Sequence, residues 1–326
     1  MHILILGAAG MIGRKLTDRL VRDGGLKDKQ IDKLTLVDIV TPDKPIDFTG
    51  VIETLAADFS APGAAETFLQ DRPDLIFHLA AIVSGEAERD FEKGYRINLD
   101  GTRLLLEAIR TLGEGYCPKV IYASSGAVFG GPFAAKIRDD FHLTPHSSYG
   151  TQKTICELLL ADYTRREFLE GVGVRLPTIC VRPGKPNAAA TGFFSGIIRE
   201  PLVGQEAVLP VPDTVTHSHA SPRAAVGFLI HAASLNRDKL GLLVNLSMPG
   251  FNCRVSDQIG ALKRIAGQNV VDRIRVEPDP YIARIVGAKP AVEAARALAL
   301  GFTAERSFDE IILAHIEDEL DGDFVR

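Results

Sequence analysis

The chain has 326 residues, 46% of them apolar, a mean hydropathy of +0.08, and a formal net charge of −5 from 37 Lys and Arg against 42 Asp and Glu. That length can bury one large core or two modest ones. With no basic run longer than Arg165-Arg166, the charge leaves no electrostatic footprint for nucleic acid. No apolar stretch reaches the ~18 residues that a membrane helix needs, and the first strand is expected from residue 2 with no basic leader before it. Cys117, Cys156, Cys180 and Cys253 form no Cys-x-x-Cys pair, and the eight histidines do not cluster with them. The expectation is a cytoplasmic chain with reduced thiols, no membrane partner and no metal.

In chain order, the first apolar run is Ile3-Leu4-Ile5-Leu6, followed by Gly7-Ala8-Ala9-Gly10-Met11-Ile12-Gly13 and an amphipathic stretch from Met11 to about Arg22. Such a run reads as a strand turning sharply into a helix whose first N–H groups face a phosphate. A Cβ at the glycines would hold that phosphate away. The spacing is Gly-x-x-Gly-x-x-Gly and not the Gly-x-Gly-x-x-Gly of the simplest dinucleotide fingerprint. A second run, Leu34-Thr35-Leu36-Val37, ends on Asp38, where a Rossmann-type unit places the acid for the adenosine ribose. A carboxylate accepts from both ribose hydroxyls and repels a 2′-phosphate, so the pattern favours NAD over NADP. The competing reading of Asp38 is a turn opening before Thr41-Pro42.

Short apolar runs between helical patterns predict an α/β fold, a doubly wound parallel sheet covered on both faces. Strands are expected at His2–Leu6, Leu34–Asp38, Glu53–Ala57, Leu75–Leu79, Val120–Ser124, Val174–Cys180 and Leu242–Leu246. Two long helices are expected from Tyr95 to Leu112 and from Tyr149 to Phe168. These could pair with their copies in a homodimer, and burial within one chain would give the same pattern. From Gly184 onward Pro, Gly and Ala thicken, and Pro210-Val211-Pro212 interrupts regular structure, so a smaller second domain is expected. Ser221-Pro222 reads as an N-cap and first helical residue opening a helix from about Arg223 to Ala233. Further helices are expected near Val255–Ile265, Ala291–Leu298 and Ser307–His315. The expected division is 1–183 plus about 220–248 as an NAD-binding Rossmann domain. The partly discontinuous C-terminal substrate domain takes about 184–219 plus 249–326.

Tyr149-Gly150-Thr151-Gln152-Lys153 puts a phenol and an ammonium one helical turn apart, on one face. A phenol near pKa ~10 is a poor base at neutral pH, and an adjacent ammonium stabilises its phenolate. Upstream, Tyr122-Ala123-Ser124-Ser125-Gly126 ends a buried strand where strand ends line the ligand crevice of such sheets. Either serine could hold a substrate oxygen, and the two face opposite ways.

Together these motifs resemble the short-chain dehydrogenase/reductase family in its extended branch, which includes nucleotide-sugar epimerases. The resemblance spans nearly the whole chain: the glycine motif, Asp38, Ala57-Asp58, His78-Leu79-Ala80-Ala81, Asn98-Leu99-Asp100-Gly101-Thr102, the serine strand, Tyr149/Lys153 and Arg175-Leu176-Pro177. It implies NAD as cofactor, with Gly7, Gly10 and Gly13 approaching the pyrophosphate and the backbone N–H groups of Met11 and Ile12 donating to it. It further implies Asp38 on the ribose, Asp58 on the adenine amine, and Ala80 and Pro177 along the nicotinamide. Asn98 lies near the cofactor in the family, with a structural polar contact as the alternative. Tyr149 is implied as general base, Lys153 as the group that tunes it and binds the nicotinamide ribose, and Ser125 as the substrate-orienting hydroxyl.

Two departures narrow the reaction. Dehydratase members carry acidic residues at or just after the serine, where this chain has Gly126 and Ala127. Nucleotide-sugar members commonly carry an Asp-Asp pair two residues after a histidine, in the stretch where this chain has His217-Ser218-His219-Ala220-Ser221-Pro222-Arg223. The segment Val181-Arg182-Pro183-Gly184-Lys185 begins the substrate loop, and Arg182 and Lys185 suggest an anionic substrate. That loop, with His78 to Glu86, resembles the members that oxidise the four-carbon sugar acid D-erythronate at C2, giving 2-oxo-tetronate with NAD. Ser84 is then implied as a contact for substrate hydroxyls. The expected partner is a small anionic polyol-acid, and an NAD-dependent nucleotide-sugar epimerase is the alternative reading.

Overall fold

The structure, a computed structural model, describes residues 1–113, 115–133, 135–184, 190–287 and 289–326. The chain forms two units. The first holds Met1–Gly130, Leu143–Leu176 and Val226–Leu246, and the second holds Gly131–His142, Pro177–Ala225 and Ser247–Arg326.

The first unit is built on a sheet of β1 (His2–Leu6), β2 (Lys33–Asp38), β3 (Val51–Ala56), β4 (Leu75–His78), β5 (Lys119–Ser125), β6 (Glu170–Leu176) and β7 (Asn245–Ser247). Its spatial order is β7-β6-β5-β4-β1-β2-β3, and the pairs from β3 through to β6 are parallel. Strand order thus reverses between β1 and β4, the switch point beside which doubly wound sheets bind ligands. The Rossmann-type expectation is borne out. Ile3 to Leu6 are at most 1% exposed, which is why β1 reads as an unbroken apolar run and not an alternating one.

Register decides what meets at the carboxyl edge. Leu6 lies beside Val37 on one side and His78 on the other, His78 beside Tyr122, and Ser125 beside Leu176. The glycine loop, Asp38, Leu79-Ala80 and Ser125 therefore leave the sheet at the same edge. Helices α1 (Met11–Asp23), α2 (Ala64–Phe68), α3 (Gly101–Thr111) and α4 (Ser148–Arg165) cover the sheet. Leu4, Ile76, Leu105, Ile109, Val120, Tyr122 and Leu160 form one buried cluster with α2, α3 and α4.

Four elements differ from expectation. The strand expected over Val174–Cys180 runs over Glu170–Leu176 instead. Gly171 and Gly173 weaken its strand signal, yet a Cβ on Gly173 would stand 1.9 Å from Asn245 Oδ1, so close approach excludes a side chain there. The strand expected from Leu242 is shortened to Asn245–Ser247, because Leu242 and Leu243 are 76% and 65% exposed in a loop. The helix expected over Tyr95–Leu112 opens with a wide π-type segment, Tyr95–Asp100, before α3. The helix expected over Ala291–Leu298 is a short strand, Val292–Glu293, paired with Ile137–Arg138, then a helix at Ala295–Ala299.

The second unit carries a three-stranded sheet in which Thr216–Ala220 lies between Thr178–Ile179 (parallel) and Phe251–Arg254 (antiparallel). Helices Phe193–Leu202, Val255–Ala266 and Phe308–Glu319 bury Phe194, Ile198, Leu262, Phe308 and Ile312 in a separate core. The helix Pro222–Ser234 opens as its sequence implies: Ser221 Oγ accepts from Ala224 N at 2.9 Å, and Pro222 takes the first helical position. Among the described residues no helix is long and apolar enough to cross a membrane.

Candidate active site

The glycine loop is closed by its neighbours. Gly7 has φ +90°, its N–H donates to Val37 O at 2.8 Å, and a Cβ on it would stand 2.7 Å from Ala80 N. A Cβ on Gly13 would stand 2.1 Å from Gly7 O, and one on Gly10 3.3 Å from the same oxygen. Helix α1 begins at Met11 with Gly10 as a cap that offers no side chain, and its first turn holds no acid. The N–H groups of Met11, Ile12 and Gly13 thus have no intrahelical acceptor, and no carboxylate competes for them. Asp38 is fixed to this loop: Oδ2 accepts from Ala9 N at 2.9 Å and Oδ1 from Ile39 N at 2.7 Å.

Asp58 is less open than its motif suggests. Oδ1 accepts from Ser60 N and Oγ at 2.9 and 2.6 Å, and Oδ2 accepts from Arg96 at 2.7 Å. Burial alone would push this carboxyl up, but the Ser60 and Arg96 hydrogen bonds hold it below the usual carboxylate range. Arg96 and Ser60 were not legible as site residues, because neither falls in a motif.

Asn98 is buried and committed to its own scaffold. Its Oδ1 accepts from Ile82 N at 2.9 Å, and its Nδ2 donates to Ile82 O at 3.2 Å and to Gln152 Oε1 at 2.8 Å. Both amide hydrogens are used, so the structural alternative accounts for every donor it has. The Asn98 carbonyl accepts from Thr102 Oγ1 at 2.7 Å. Since that hydroxyl hydrogen is spent, Thr102 accepts from His78 Nε2 at 2.8 Å, which makes His78 the Nε2–H tautomer. Complete burial, with the Lys153 charge nearby, holds the His78 imidazole neutral and pulls its pKa down to about 3.

The two serines separate cleanly. Ser124 is 3% exposed and donates to Glu157 Oε1 at 2.5 Å, inside the unit. Ser125 is half-buried and caps the turn Gly126–Val128, its Oγ accepting from Ala127 N at 3.1 Å. One lone pair is thereby fixed, and the hydroxyl hydrogen has no acceptor among the described residues. Tyr149 sits half-exposed in the first turn of α4, which Ser147 caps by accepting from Gly150 N at 3.1 Å. Gly150 lets the helix start close to the serine turn, since a Cβ there would stand 2.3 Å from Ala127 O. Lys153 is 2% exposed and donates to Ala123 O at 2.7 Å. Its Nζ lies 4.6 Å from the Tyr122 ring centre and 5.7 Å from that of Tyr149. Burial pulls the ammonium down to about 8, against the opposing influence of Cys156 and Glu157.

Ser84 opens the helix Ser84–Arg89 and is half-buried. In the second unit, Arg182 is held by local groups: its Nε donates to Ile179 O at 3.0 Å, and its N–H to Ser195 Oγ at 3.0 Å. Pro177 packs near Gly250, whose Cβ would stand 3.2 Å from it. Lys185 lies outside the described residues.

A family model described as the NAD dependent epimerase/dehydratase family matches residues 3–218. The chain belongs to that family. Within the epimerase/dehydratase family it is similar to a D-erythronate dehydrogenase from Cupriavidus necator, 46% identical over 98% of each chain. A D-erythronate dehydrogenase from Haemophilus influenzae is 39% identical, over 98% of this chain and 100% of that one. A solved structure, the nucleoside-diphosphate-sugar epimerase from Agrobacterium tumefaciens, is 62% identical, with a TM-score of 0.96 over 99% of this chain and 95% of that one. The resemblance drawn from the glycine, serine and Tyr149/Lys153 motifs is thus borne out at the level of the family.

Proposed function

We propose that this chain oxidises D-erythronate at its C2 hydroxyl with NAD, giving 2-oxo-tetronate. The observation that carries the reading is full-length similarity to two D-erythronate dehydrogenases in a chain where Ser125, Tyr149 and Lys153 belong to one sheet edge and the helix beside it. The first unit is assigned to the cofactor and the second to the substrate, with Ser84, Arg182 and Lys185 as candidate contacts for its hydroxyls and carboxylate.

The residues present fit NAD. Gly7, Gly10 and Gly13 leave a cradle that a Cβ would close, the unpaired N–H groups of Met11 and Ile12 suit a pyrophosphate, and Asp38 suits a ribose bearing free hydroxyls. Ala80 and Pro177 are assigned to the nicotinamide, and Asp58 to the adenine amine through whatever capacity Ser60 and Arg96 leave it. Asn98 acts on the cofactor only by holding Ile82. When bound, NAD supplies the acceptor for the C2 hydride.

The rest of the chemistry belongs to the chain. Tyr149 takes the C2 hydroxyl proton as its phenolate. Lys153, held by Ala123 O beside that ring, stabilises the phenolate by its charge. Ser125, its Oγ already turned by Ala127 N, donates its hydrogen to the C2 oxygen and keeps it against the tyrosine.

Purified protein mixed with NAD and a panel of aldonic acids should form NADH with D-erythronate. The Tyr149→Phe variant should lose about 10³-fold or more in turnover while binding NAD nearly as before. No NADH from any acid would overturn the reading, and unchanged turnover in the variant would remove Tyr149 as base. The name of the 62% identical structure supports a second reading, an NAD-dependent nucleotide-sugar epimerase. That reading expects a UDP-sugar to raise the melting temperature and D-erythronate not to.

A further inference from the structure

Glu157 lies one helical turn beyond Lys153 and two beyond Tyr149 on α4, and it is 0% exposed. Its carboxylate is fully engaged. Oε1 accepts from Ser124 Oγ at 2.5 Å and from Arg175 Nε at 3.0 Å, while Oε2 accepts from Arg175 Nη2 at 2.7 Å. Its backbone carbonyl accepts from Asn245 Nδ2 at 3.1 Å, and Arg175 in turn lies 5.1 Å from the Phe129 ring centre. One side chain therefore joins α4 to β5 and β6, immediately behind Ser125.

A buried ion pair by itself is weak evidence for anything but structure. Two further facts go beyond that. Successive residues of a strand face opposite sides, so pinning Ser124 to Glu157 obliges Ser125 to face the other way, toward the open edge. The groups facing Lys153 are Tyr149, Cys156 and Glu157 on its own helix, Tyr122 on β5 and His78 on β4. His78 is neutral, burial pushes the Tyr122 phenol and the Cys156 thiol up, and the hydrogen-bond acceptor of Lys153 is an uncharged carbonyl. Glu157, ion-paired with Arg175 at 2.7 Å, is the carboxylate in that group.

We propose that Glu157 is a positioning residue for Ser125, Tyr149 and Lys153: through Ser124 it sets which way Ser125 faces, and by its charge it keeps the buried Lys153 protonated. The proposal rests on the dehydrogenase reading for the roles of those three residues, but its central test needs no substrate. The NMR signal of the Lys153 side chain, assigned by its loss in Lys153→Met, is followed against pH in the full chain. In Glu157→Gln the Lys153 midpoint should fall by about one unit or more. Because that variant leaves Arg175 buried without its partner, Glu157→Gln/Arg175→Met is measured alongside, and it should show a lowered midpoint in a folded protein. Ser124→Ala keeps the charge, so it should leave the midpoint in place while cutting kcat with D-erythronate about tenfold at near-unchanged KM for NAD. An unmoved Lys153 midpoint in both Glu157 variants overturns the proposal. If no acid is oxidised but the midpoint falls, the dehydrogenase reading fails and the charge coupling stands.

Discussion

The backbone N–H of Ala9 donates to Asp38 Oδ2 at 2.9 Å, tying the second residue after Gly7 to the acid that ends the neighbouring strand. The contact orients the carboxylate, whose second oxygen accepts from Ile39 N at 2.7 Å, and it makes charge and position separable by mutation. Asn at this place keeps an acceptor for Ala9 and loses the charge that repels a 2′-phosphate. Asp38→Asn should therefore keep its fold, and its NAD-to-NADP ratio of kcat/KM should fall by about tenfold or more. An unchanged ratio would mean that Asp38 does not face the ribose.

Gly13 offers a sharper test of the loop. A Cβ there would stand 2.1 Å from Gly7 O and 2.7 Å from Ala8 Cα, and both are backbone atoms that cannot rotate away. Gly13→Ala should lower stability by about 2 kcal/mol or more and weaken NAD binding further, because the loop must open to relieve the clash. Thermal melts with and without NAD measure both effects. A variant that melts like the parent and still gains stability from NAD would contradict this account of the loop.

What the sequence revealed follows from which physical signals are local. The glycine spacing, the continuous apolar β1 and the Tyr149/Lys153 spacing are each set within a few residues, so they could be read directly. The Ser124 or Ser125 question could not be, because period two fixes only that they face opposite ways. The partner that engages Ser124, Glu157, sits 33 positions along on another element. Asn98 was open for the same reason, since Ile82 and Gln152 claim its amide from two other segments. The strand at Glu170–Leu176 was misplaced because its two interior glycines answer to Leu160, Thr164 and Asn245, contacts that hydropathy does not encode. Glu157 itself left one faint trace, its place four residues after Lys153.

Buried histidines give an acid limit to stability. His78 is pulled down to about 3 by burial and the Lys153 charge, and His217 to about 4 by burial and Lys289. Unfolded, both would take up a proton near 6.5. Below that pH the unfolded chain binds more protons than the folded one, so stability falls as pH drops from 6.5 toward about 4. Melting temperatures measured from pH 7.5 to 4.5 should decline most steeply in that window, and His78→Gln should flatten the decline. The same slope in the variant would exclude His78 as a contributor.

Lys153 should move activity and stability in opposite directions. Burial pulls its ammonium down to about 8 in the folded protein, against 10.5 when unfolded. As pH rises through about 8 the ammonium is lost, the Tyr149 phenolate loses its stabilising charge, and NADH formation should fall, with a midpoint that belongs to the Tyr149 and Lys153 pair. Stability responds the other way. Between about 8 and 10.5 the unfolded chain keeps a proton that the folded chain has shed, so this residue's contribution to stability grows across that window. Comparison with Lys153→Met separates it from Lys289, which burial also pulls down to about 8. The variant should lose most of its turnover, and its stability should rise less than the parent's from pH 8 to 10. A parent whose activity keeps climbing past pH 9.5, or whose alkaline stability profile matches the variant's, would show that Lys153 is not held as the buried, half-starved cation that its contacts with Ala123 and Tyr122 describe.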